Sequence, residues 1–296
     1  MSRTLVFKLK DVAGFAPDGV MKITDAHQHF WAKELFAGKL PPEMDALLAD
    51  FRPEDLKPHL DELGIQQTVL VQTHSSLKNN QEFLDIADAC AWVGAVVGWV
   101  DLTDPQVGKT LDRLAAHPKF KGVRHQWEDE KDPAWIMRAD VLRGLREVAQ
   151  HGLRYDLLAR PPNWPYLTQV AEAVPDLPLV IDHIAKPNIK TRQFDDWAAT
   201  IARAAEIPRM MCKVSGMVTE ADWQRWQPAD LKPYVTTAIE LFGTDRVMWG
   251  SDWPVCLLAG SYTQVFNALL YGLSGLSEQD KARILGENAR KFYGIA

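Results

Sequence analysis

Two histidines, His27 and His29, stand two residues apart in the stretch DAHQHFW, directly after a short β-like run. Because side chains at positions i and i+2 of a strand point to the same face, both imidazoles should aim at one point. Two such rings repel each other when protonated. They therefore need a carboxylate between them, or a cation when the rings are neutral. The spacing therefore predicts a metal or substrate site at the end of this strand.

A carboxylate near residue 252 is the second candidate for chemistry. Asp252 lies in GSDWP, where it follows an apolar run and precedes a tryptophan and a proline. A carboxylate within hydrogen-bond reach of water can orient and deprotonate it. Histidine and aspartate are also common Zn²⁺ ligands. If the strand before Asp252 lies beside the strand of His27, these groups can form one centre.

The elements that must position these residues alternate regularly from residue 21 onward. Eight apolar, β-rich runs cover 21–27, 65–74, 94–102, 120–126, 152–159, 177–185, 208–216 and 245–253, with helical segments between them. Strands that alternate with helices call for a parallel sheet covered by helices. Eight repeats favour an α/β fold of the (β/α)₈ TIM-barrel class, in a single domain. A doubly wound open sheet is the alternative, although no GxGxxG follows the first strand.

Active sites of such barrels lie at the carboxyl ends of the strands, and here these ends are polar. Beyond the two histidines of the first strand, they are Gln72 and His74, Trp99 and Asp101, Arg124 and His125, Tyr155 and Asp156, Asp182 and His183, Lys213 and Ser215, and Ser251 and Asp252. Buried polar groups are costly unless they are paired. Eight polar strand ends therefore favour a shared functional cleft.

Side-chain chemistry suggests individual roles at this cleft. Arg124 is a rigid, bidentate donor for a carbonyl or a carboxylate, unless it pairs with Glu128 or Asp129. Lys213 could bind a hydroxyl or a carboxylate of the substrate. Indole rings can pack on the C–H face of a sugar with a free N–H. The substrate-binding candidates are Gln72, His74, His125, Trp31 and Trp253, although a lone histidine at a strand end, such as His74 or His125, is more often a hydrogen-bonded structural residue.

Composition limits the class of protein. The chain has 296 residues, 47% of them hydrophobic, and a net charge of −6 without a basic stripe, which argues against a nucleic-acid partner. Three dispersed cysteines indicate a reducing, cytoplasmic location, and no apolar run is long enough to cross a membrane. Residues 1–20 are interpreted as an N-terminal extension without a signal peptide, and residues 21–296 as the barrel.

Taken together, these motifs resemble the amidohydrolase superfamily, and within it the sugar-lactonase branch of fuconolactonase-like and rhamnonolactonase-like proteins. The resemblance extends from residue 21 onward through DAHQHFW, VVGWVDL, GVRHQWEDE, VIDHIAKP, CKVSGMVTEADW and MWGSDWPVCLL. It implies a (β/α)₈ barrel that hydrolyses a cyclic ester.

The resemblance also implies a metal site. In the wider superfamily, the HxH pair, further histidines and the aspartate after strand eight hold one or two divalent ions, which carries over to His27, His29, His183 and Asp252. The fifth strand here ends without a histidine, and the fourth without a lysine that could be carboxylated. The resemblance therefore implies one divalent ion, with Zn²⁺ expected, or catalysis that needs none.

The function expected from the sequence is hydrolysis of an aldono- or aldarolactone to the free sugar acid. Asp252 would activate the water, with His183 and Arg124 as further catalytic groups. A neutral aldonolactone is the leading substrate class, because Arg124 is the one clear arginine at the strand ends, with Arg160 as a possible second. The alternatives are a lactone isomerase, a metal-dependent decarboxylase or hydrolase of the same superfamily and, more distantly, a barrel that binds a sugar acid without turnover. The sequence does not indicate the oligomeric state.

Overall fold

The computed structural model describes residues 21–296, so the interpretation of residues 1–20 as an extension lies outside the described residues. Eight parallel strands form one sheet in chain order. They are β1 (Ile23–Gln28), β2 (Ile65–Val71), β3 (Val93–Gly98), β4 (Phe120–His125), β5 (Arg154–Leu157), β6 (Leu179–Ile181), β7 (Met210–Val214) and β8 (Val247–Trp249). This order confirms the predicted (β/α)₈ barrel in place of the doubly wound alternative.

Helices connect the strands and follow the last one. They are α1 (Pro53–Leu63), α2 (Leu77–Ala89), α3 (Val107–Ala115), α4 (Ala139–Gln150), α5 (Leu167–Ala173), α6 (Asp195–Ala205), α7 (Met217–Glu220), α8 (Pro228–Phe242), α9 (Tyr262–Gly272), α10 (Glu278–Ala282) and α11 (Asn288–Tyr293). Local signals explain two helix ends: α1 stops at Gly64, which has φ 64°, and Ser261 caps α9 by accepting from the backbone N–H of Gln264. Within residues 21–296, no helix has both the length and the apolar character that a membrane crossing requires.

The ring closes through the chain that follows β8. The amide of Asp252 donates to the carbonyl of His27 at 2.8 Å, and the amide of His29 donates to the carbonyl of Trp253 at 2.8 Å. Gln28 and Trp253 form an isolated parallel bridge at the same place. These backbone hydrogen bonds place Asp252 directly beside the HxH pair.

The lower part of the barrel interior is apolar and is closed by the last helix. This layer comprises Ala26, Val69, Val71, Ala95, Val97, Val180, Met248, Ala289, Phe292, Tyr293 and Ile295. The C-terminal residues lie at the amino ends of the strands, where Arg154 at the start of β5 donates to the carbonyl of Phe292. The polar side chains lie above this layer, towards the carboxyl ends.

Tyr293→Phe should destabilise the barrel from this closed end. The Tyr293 hydroxyl lies 3.0 and 2.9 Å from the two carboxylate oxygens of buried Asp156, to which it donates. A hydrogen bond to a charged group contributes about 1.5–3 kcal/mol, so we expect the free energy of unfolding in urea to fall by about 2 kcal/mol. Tyr271→Phe is the matched control, because Tyr271 is 36% exposed and its loss should stay within about 0.5 kcal/mol. Equal losses in both variants would contradict this assignment.

Candidate active site

The four residues predicted to hold a metal converge at the carboxyl end of the barrel. The Nε2 atom of His29 lies 3.4 Å from Oδ1 of Asp252, and the Nε2 atoms of His27 and His183 each lie 3.8 Å from the same oxygen. All four residues are at most 4% exposed. Three imidazoles therefore surround one carboxylate oxygen, a group that we call the Asp252 centre.

An irregularity in β1 directs His27 into the barrel. The pairing of β1 with β2 shifts register between Asp25 and Gln28, and such bulges turn side chains to a new direction. The carboxylate of Asp25 faces outward, where it accepts from the Tyr262 hydroxyl at 2.8 Å. His27 faces inward, together with His29 two residues later.

Strained backbone presents the other two side chains of the Asp252 centre. His183 and Asp252 have left-handed backbone angles, with φ of 53° and 58°. After His183, the left-handed backbone continues through residues 184–186, none of which is glycine. Each non-glycine residue in this region costs about 1–2 kcal/mol, and such strain clusters at functional sites. The backbone is therefore strained at the two positions that carry these side chains.

Two glycines leave room for the histidine rings. A Cβ atom at Gly216 would lie 2.6 Å from Nδ1 of His183, and one at Gly250 would lie 2.6 Å from Cβ of His27. Both distances are shorter than any normal van der Waals contact. Glycine is the residue that permits such close approach, so these positions belong to the architecture of the site.

Gly216→Ala should lower activity in addition to the stability that it loses through backbone strain. The new methyl group would collide with the His183 ring, so we expect kcat for the lactone hydrolysis expected from the sequence to fall by about tenfold or more. Gly152→Ala is the matched control, because Gly152 has φ 67° against 60° for Gly216 and nothing lies within 4 Å of its Cβ position. Both variants should lose about 1 kcal/mol of stability from the left-handed φ, and the control should keep its kcat. A similar kcat loss in both would contradict the proposed collision.

Hydrogen bonds to the far side of two of the rings, those of His29 and His183, leave their inward nitrogens available. Nδ1 of His29 lies 2.8 Å from the carbonyl oxygen of Val71, which only accepts, so Nδ1 carries the proton. Nδ1 of His183 pairs with the Ser215 hydroxyl at 2.9 Å. When His29 is neutral, its Nε2 lone pair therefore faces a carboxylate oxygen, and two facing acceptors need a proton or a metal ion between them.

The spacing and chemistry of these groups fit a divalent ion. Ligands about 2.0–2.1 Å from a tetrahedral Zn²⁺ lie about 3.4 Å apart, close to the separations in the Asp252 centre. Metal-binding histidines usually donate their other ring N–H to a carbonyl or another polar group, as His29 does to Val71. The ligand atoms of His27, His29 and Asp252 all lie within 4.8 Å of one another. These residues could therefore hold a metal ion.

Burial and neighbouring charges set the protonation of the Asp252 centre. Burial lowers the pKa of His29 and lowers the pKa of His183 to about 4, which favours neutral rings with free lone pairs. Burial opposes ionisation of Asp252, but the surrounding imidazoles outweigh it and hold the pKa of this carboxyl below its ordinary value. The centre therefore combines neutral imidazoles with an ionised carboxylate at neutral pH.

A network of buried charges lies directly beneath the Asp252 centre. Arg124 donates to Asp182 at 3.1 Å and to the carbonyl of Gln72 at 2.6 Å. Lys213 donates to Asp156 at 2.6 Å and lies 3.0 Å from Asp182. We refer to Arg124, Asp156, Asp182 and Lys213 as the buried ion network. Its cations balance carboxylates that burial would otherwise penalise.

This network excludes one alternative that the sequence left open and corrects one expectation. Arg124 pairs with Asp182 in the barrel interior, and not with Glu128 or Asp129. Lys213 is fully buried, so its ammonium group is committed to carboxylates and is not free to bind a substrate hydroxyl. The roles of Asp156 and Asp182 were missed, although the presence of acids and bases on neighbouring strand ends was a usable signal.

Three of the substrate-binding candidates line cavities at this end of the barrel. His74 and His125 line a cavity of about 620 Å³. His74 and Trp31 line a second cavity of about 450 Å³, whose walls include aromatic residues. His74 therefore lies between two spaces large enough for a sugar-sized molecule.

The polar groups of His125 and Gln72 already have protein partners. Nδ1 of His125 accepts from the indole of Trp99 at 3.0 Å, and its Nε2 pairs with Glu130 at 2.7 Å. Gln72 is buried, and its amide exchanges hydrogen bonds with the amide of Gln126 at 3.1 and 3.3 Å. Both candidates shape the site through these networks, and direct contact of either one with substrate stays a prediction.

The two tryptophan candidates are both buried, and the indole N–H of Trp31 is not free as expected. The indole N–H of Trp31 donates to the carbonyl of Leu47 at 3.2 Å. Trp253 is 2% exposed, and its ring packs edge-on against Phe30 and Phe51 at centroid distances of 5.9 and 5.4 Å. Trp253 therefore packs in the core behind the site, whereas Trp31 keeps part of its surface on a cavity.

Known proteins resemble this chain over nearly its whole length. A family profile described as Amidohydrolase matches residues 24–295. An L-fucono-1,5-lactonase of Burkholderia ambifaria is 37% identical over 281 residues, with 92% of this chain and 95% of the relative covered. An L-fucono-1,5-lactonase of Burkholderia multivorans is 33% identical, with 94% and 97% covered.

Solved structures agree with this assignment. The crystal structure of an amidohydrolase from Burkholderia multivorans with bound zinc superposes with a TM-score of 0.87 at 32% identity, covering 93% of this chain and 100% of that chain. The family profile, the curated relatives and this barrel all lead to one conclusion. The chain belongs to the amidohydrolase family.

Proposed function

We propose that this protein hydrolyses a sugar lactone to the free sugar acid. The observation that carries the proposal is the Asp252 centre, in which an ionised carboxylate lies among three imidazole Nε2 atoms at 3.4–3.8 Å. Its position at the carboxyl ends of the strands is where barrels of this class bind substrate. The relatives named L-fucono-1,5-lactonase support a sugar lactone as the substrate class.

Asp252 acts as the base in this proposal. Its carboxylate accepts a proton from a water molecule as the water oxygen attacks the lactone carbonyl carbon. The tetrahedral intermediate then collapses, the bond between the carbonyl carbon and the ring oxygen breaks, and the ring oxygen takes the proton from Asp252. The new carboxylic acid ionises in solution, so each turnover releases one proton.

We assign His27, His29, His183 and Asp252 as the residues that would hold a divalent ion, with Zn²⁺ as the proposed ion. When bound, such an ion polarises the carbonyl group and lowers the pKa of water. The zinc in the Burkholderia multivorans structure supports this choice. The residues themselves orient the water and the lactone, and Asp252 moves the proton.

A neutral aldonolactone is the proposed substrate class. Three cations at this end of the barrel each pair with a carboxylate: Arg124 with Asp182, Arg160 with Asp129, and Lys186 with Glu128. A substrate carboxylate would have to compete with these internal partners. An aldarolactone should therefore bind more weakly than the matching aldonolactone.

We also propose a cytoplasmic location. Cys90, Cys212 and Cys256 are free thiols in the structure. Free thiols are typical of a reducing compartment. Fractionation of cells that express the full chain, followed by immunodetection, tests this assignment.

A pH-indicator screen against aldono- and aldarolactones tests the function, run with and without a chelator. We expect proton release with neutral aldonolactones and little with aldarolactones. A lactone isomerase would rearrange the ring without net proton release, and a binding protein would give neither signal. Absence of proton release with every lactone would overturn the proposal. Loss of activity on chelation, restored by Zn²⁺, would support the metal assignment.

A further inference from the structure

The guanidinium of Arg124 reaches into the proposed metal site. Its Nη1 atom lies 3.0 Å from Nε2 of His27. A guanidinium group only donates hydrogen bonds, so Nε2 must accept with the single lone pair in the plane of its ring. A metal ion bound through Nε2 needs that same lone pair. Arg124 and a metal ion therefore cannot both engage this nitrogen.

His27 differs in this respect from its two neighbours. His29 and His183 direct Nδ1 to Val71 and Ser215 and turn Nε2 towards the Asp252 carboxylate. Neither of those Nε2 atoms accepts from a cation in these contacts. Of the three imidazoles, His27 is the one whose inward lone pair already has a donor.

The other nitrogen of His27 offers no easy alternative to a metal ion. Nδ1 lies 3.3 Å from Oδ1 of Asp182 and 3.2 Å from Nζ of Lys213. Because Nε2 accepts, Nδ1 carries the single ring proton of neutral His27 and donates it towards Asp182, and both neighbours are fully buried. His27 is therefore held on both sides by the buried ion network.

Arg124 does not depend on His27 for its own position. The same guanidinium donates to Asp182 at 3.1 Å and to the carbonyl of Gln72 at 2.6 Å. It would keep both anchors if a metal ion displaced it from His27. The site can therefore exist with His27 bound to Arg124 or with His27 bound to metal.

We propose that Arg124 competes with divalent metal for His27 and so sets the metal affinity of the site. This inference rests on the proposed role of His27 as a metal ligand. A hydrogen bond from a charged donor must be given up whenever the ion binds. Removing that donor should therefore tighten metal binding by about tenfold or more.

Titration of the metal-free full chain with Co²⁺, followed by visible absorption, tests the competition, with Zn²⁺ as a competing ion. Arg124→Lys keeps the charge but cannot reach all three acceptors, and Arg124→Gln removes the charge. Both should bind Co²⁺ about tenfold or more tightly than the unmodified chain. Arg160→Gln is the matched control, since it removes a positive charge that contacts Asp129 and not His27, and its affinity should stay within about twofold.

A double variant separates the lone pair from the charge. In a chain that already carries His27→Gln, adding Arg124→Gln should give no gain in Co²⁺ affinity. Persistence of the gain in that background would overturn the inference. Equal or weaker Co²⁺ binding by the single Arg124 variants would also overturn it. If those variants fail to fold, ¹⁵N NMR of the arginine side chains in the unmodified protein replaces them. The Arg124 resonance must then shift when Zn²⁺ is added, and an unchanged resonance overturns the inference.

Lactone hydrolysis by the unmodified protein is measured separately in the same preparations. Failure of the proposed function would appear as no proton release from any lactone. Failure of the competition would appear in the Co²⁺ affinities. The two outcomes are therefore distinguishable.

Discussion

Asp252→Asn should lower kcat for lactone hydrolysis by about 10²–10⁴-fold, the usual contribution of a general base. The amide has the same shape as the carboxylate but cannot accept a proton from water. Asparagine also tolerates the left-handed backbone, here with φ 58°, so the chain should fold normally. Initial rates from a pH-indicator assay on the preferred aldonolactone measure the effect.

The matched control makes the same chemical change far from the site. Asp61→Asn alters an exposed carboxylate on α1 that pairs with Lys57 one turn earlier, and kcat should stay within about twofold of the parent. Circular dichroism melts of both variants check that the fold persists. A kcat within twofold of the parent for Asp252→Asn would remove Asp252 from the mechanism.

Lys213→Met should cost about 3–5 kcal/mol of unfolding free energy, the range measured when one partner of a buried ion pair is removed. Lys213 has 0% exposure, and its ammonium group lies 2.6 Å from Asp156 and 3.0 Å from Asp182. Methionine keeps most of the length of the side chain but leaves two buried carboxylates with less compensation. Urea denaturation followed by circular dichroism measures the loss.

Lys57→Met is the control for this substitution. The side chain of Lys57 is 43% exposed and pairs with Asp61 on the same helix. Exposed pairs of this kind contribute little, so the free energy of unfolding should change by no more than about 0.5 kcal/mol. A loss below about 1 kcal/mol for Lys213→Met would mean that the buried ion network does not hold the barrel together.

The barrel and the centre of its site could be predicted from regular patterns in the sequence. Buried parallel strands read as apolar runs, and their alternation with helices is visible without an alignment. The i, i+2 spacing places His27 and His29 on one face, and barrel closure brings the last strand to the first. These two rules suffice to expect Asp252 beside the histidine pair, where the structure places it.

Strand ends were harder to predict, because left-handed backbone has only a weak sequence signal outside glycine. The sequence suggests strands over 177–185 and 245–253, but the structure has Leu179–Ile181 and Val247–Trp249. In both places a site residue follows with positive φ, His183 in the first and Asp252 in the second. Only glycine adopts this region routinely, so the strain that ends these strands depends on tertiary contacts.

Pairing among polar strand ends also depends on geometry that the sequence does not display. Arg124 on β4 lies in register with Asp156 on β5, yet its guanidinium pairs with Asp182 beyond β6. Lys213 on β7 reaches Asp156 across the interior. The residue types were available, but the choice of partners depends on the tilt of the strands and the length of each side chain.

Because the barrel closes through His27 and Asp252, the active site should form late during folding. The amide of Asp252 donates to the carbonyl of His27, so the proposed base and the imidazoles around it meet only when distant parts of the polypeptide join. Such remote pairings are slow to form. A growing chain on the ribosome should therefore have no catalytic activity until the eighth strand has emerged. The onset of turnover would then report that the barrel has closed.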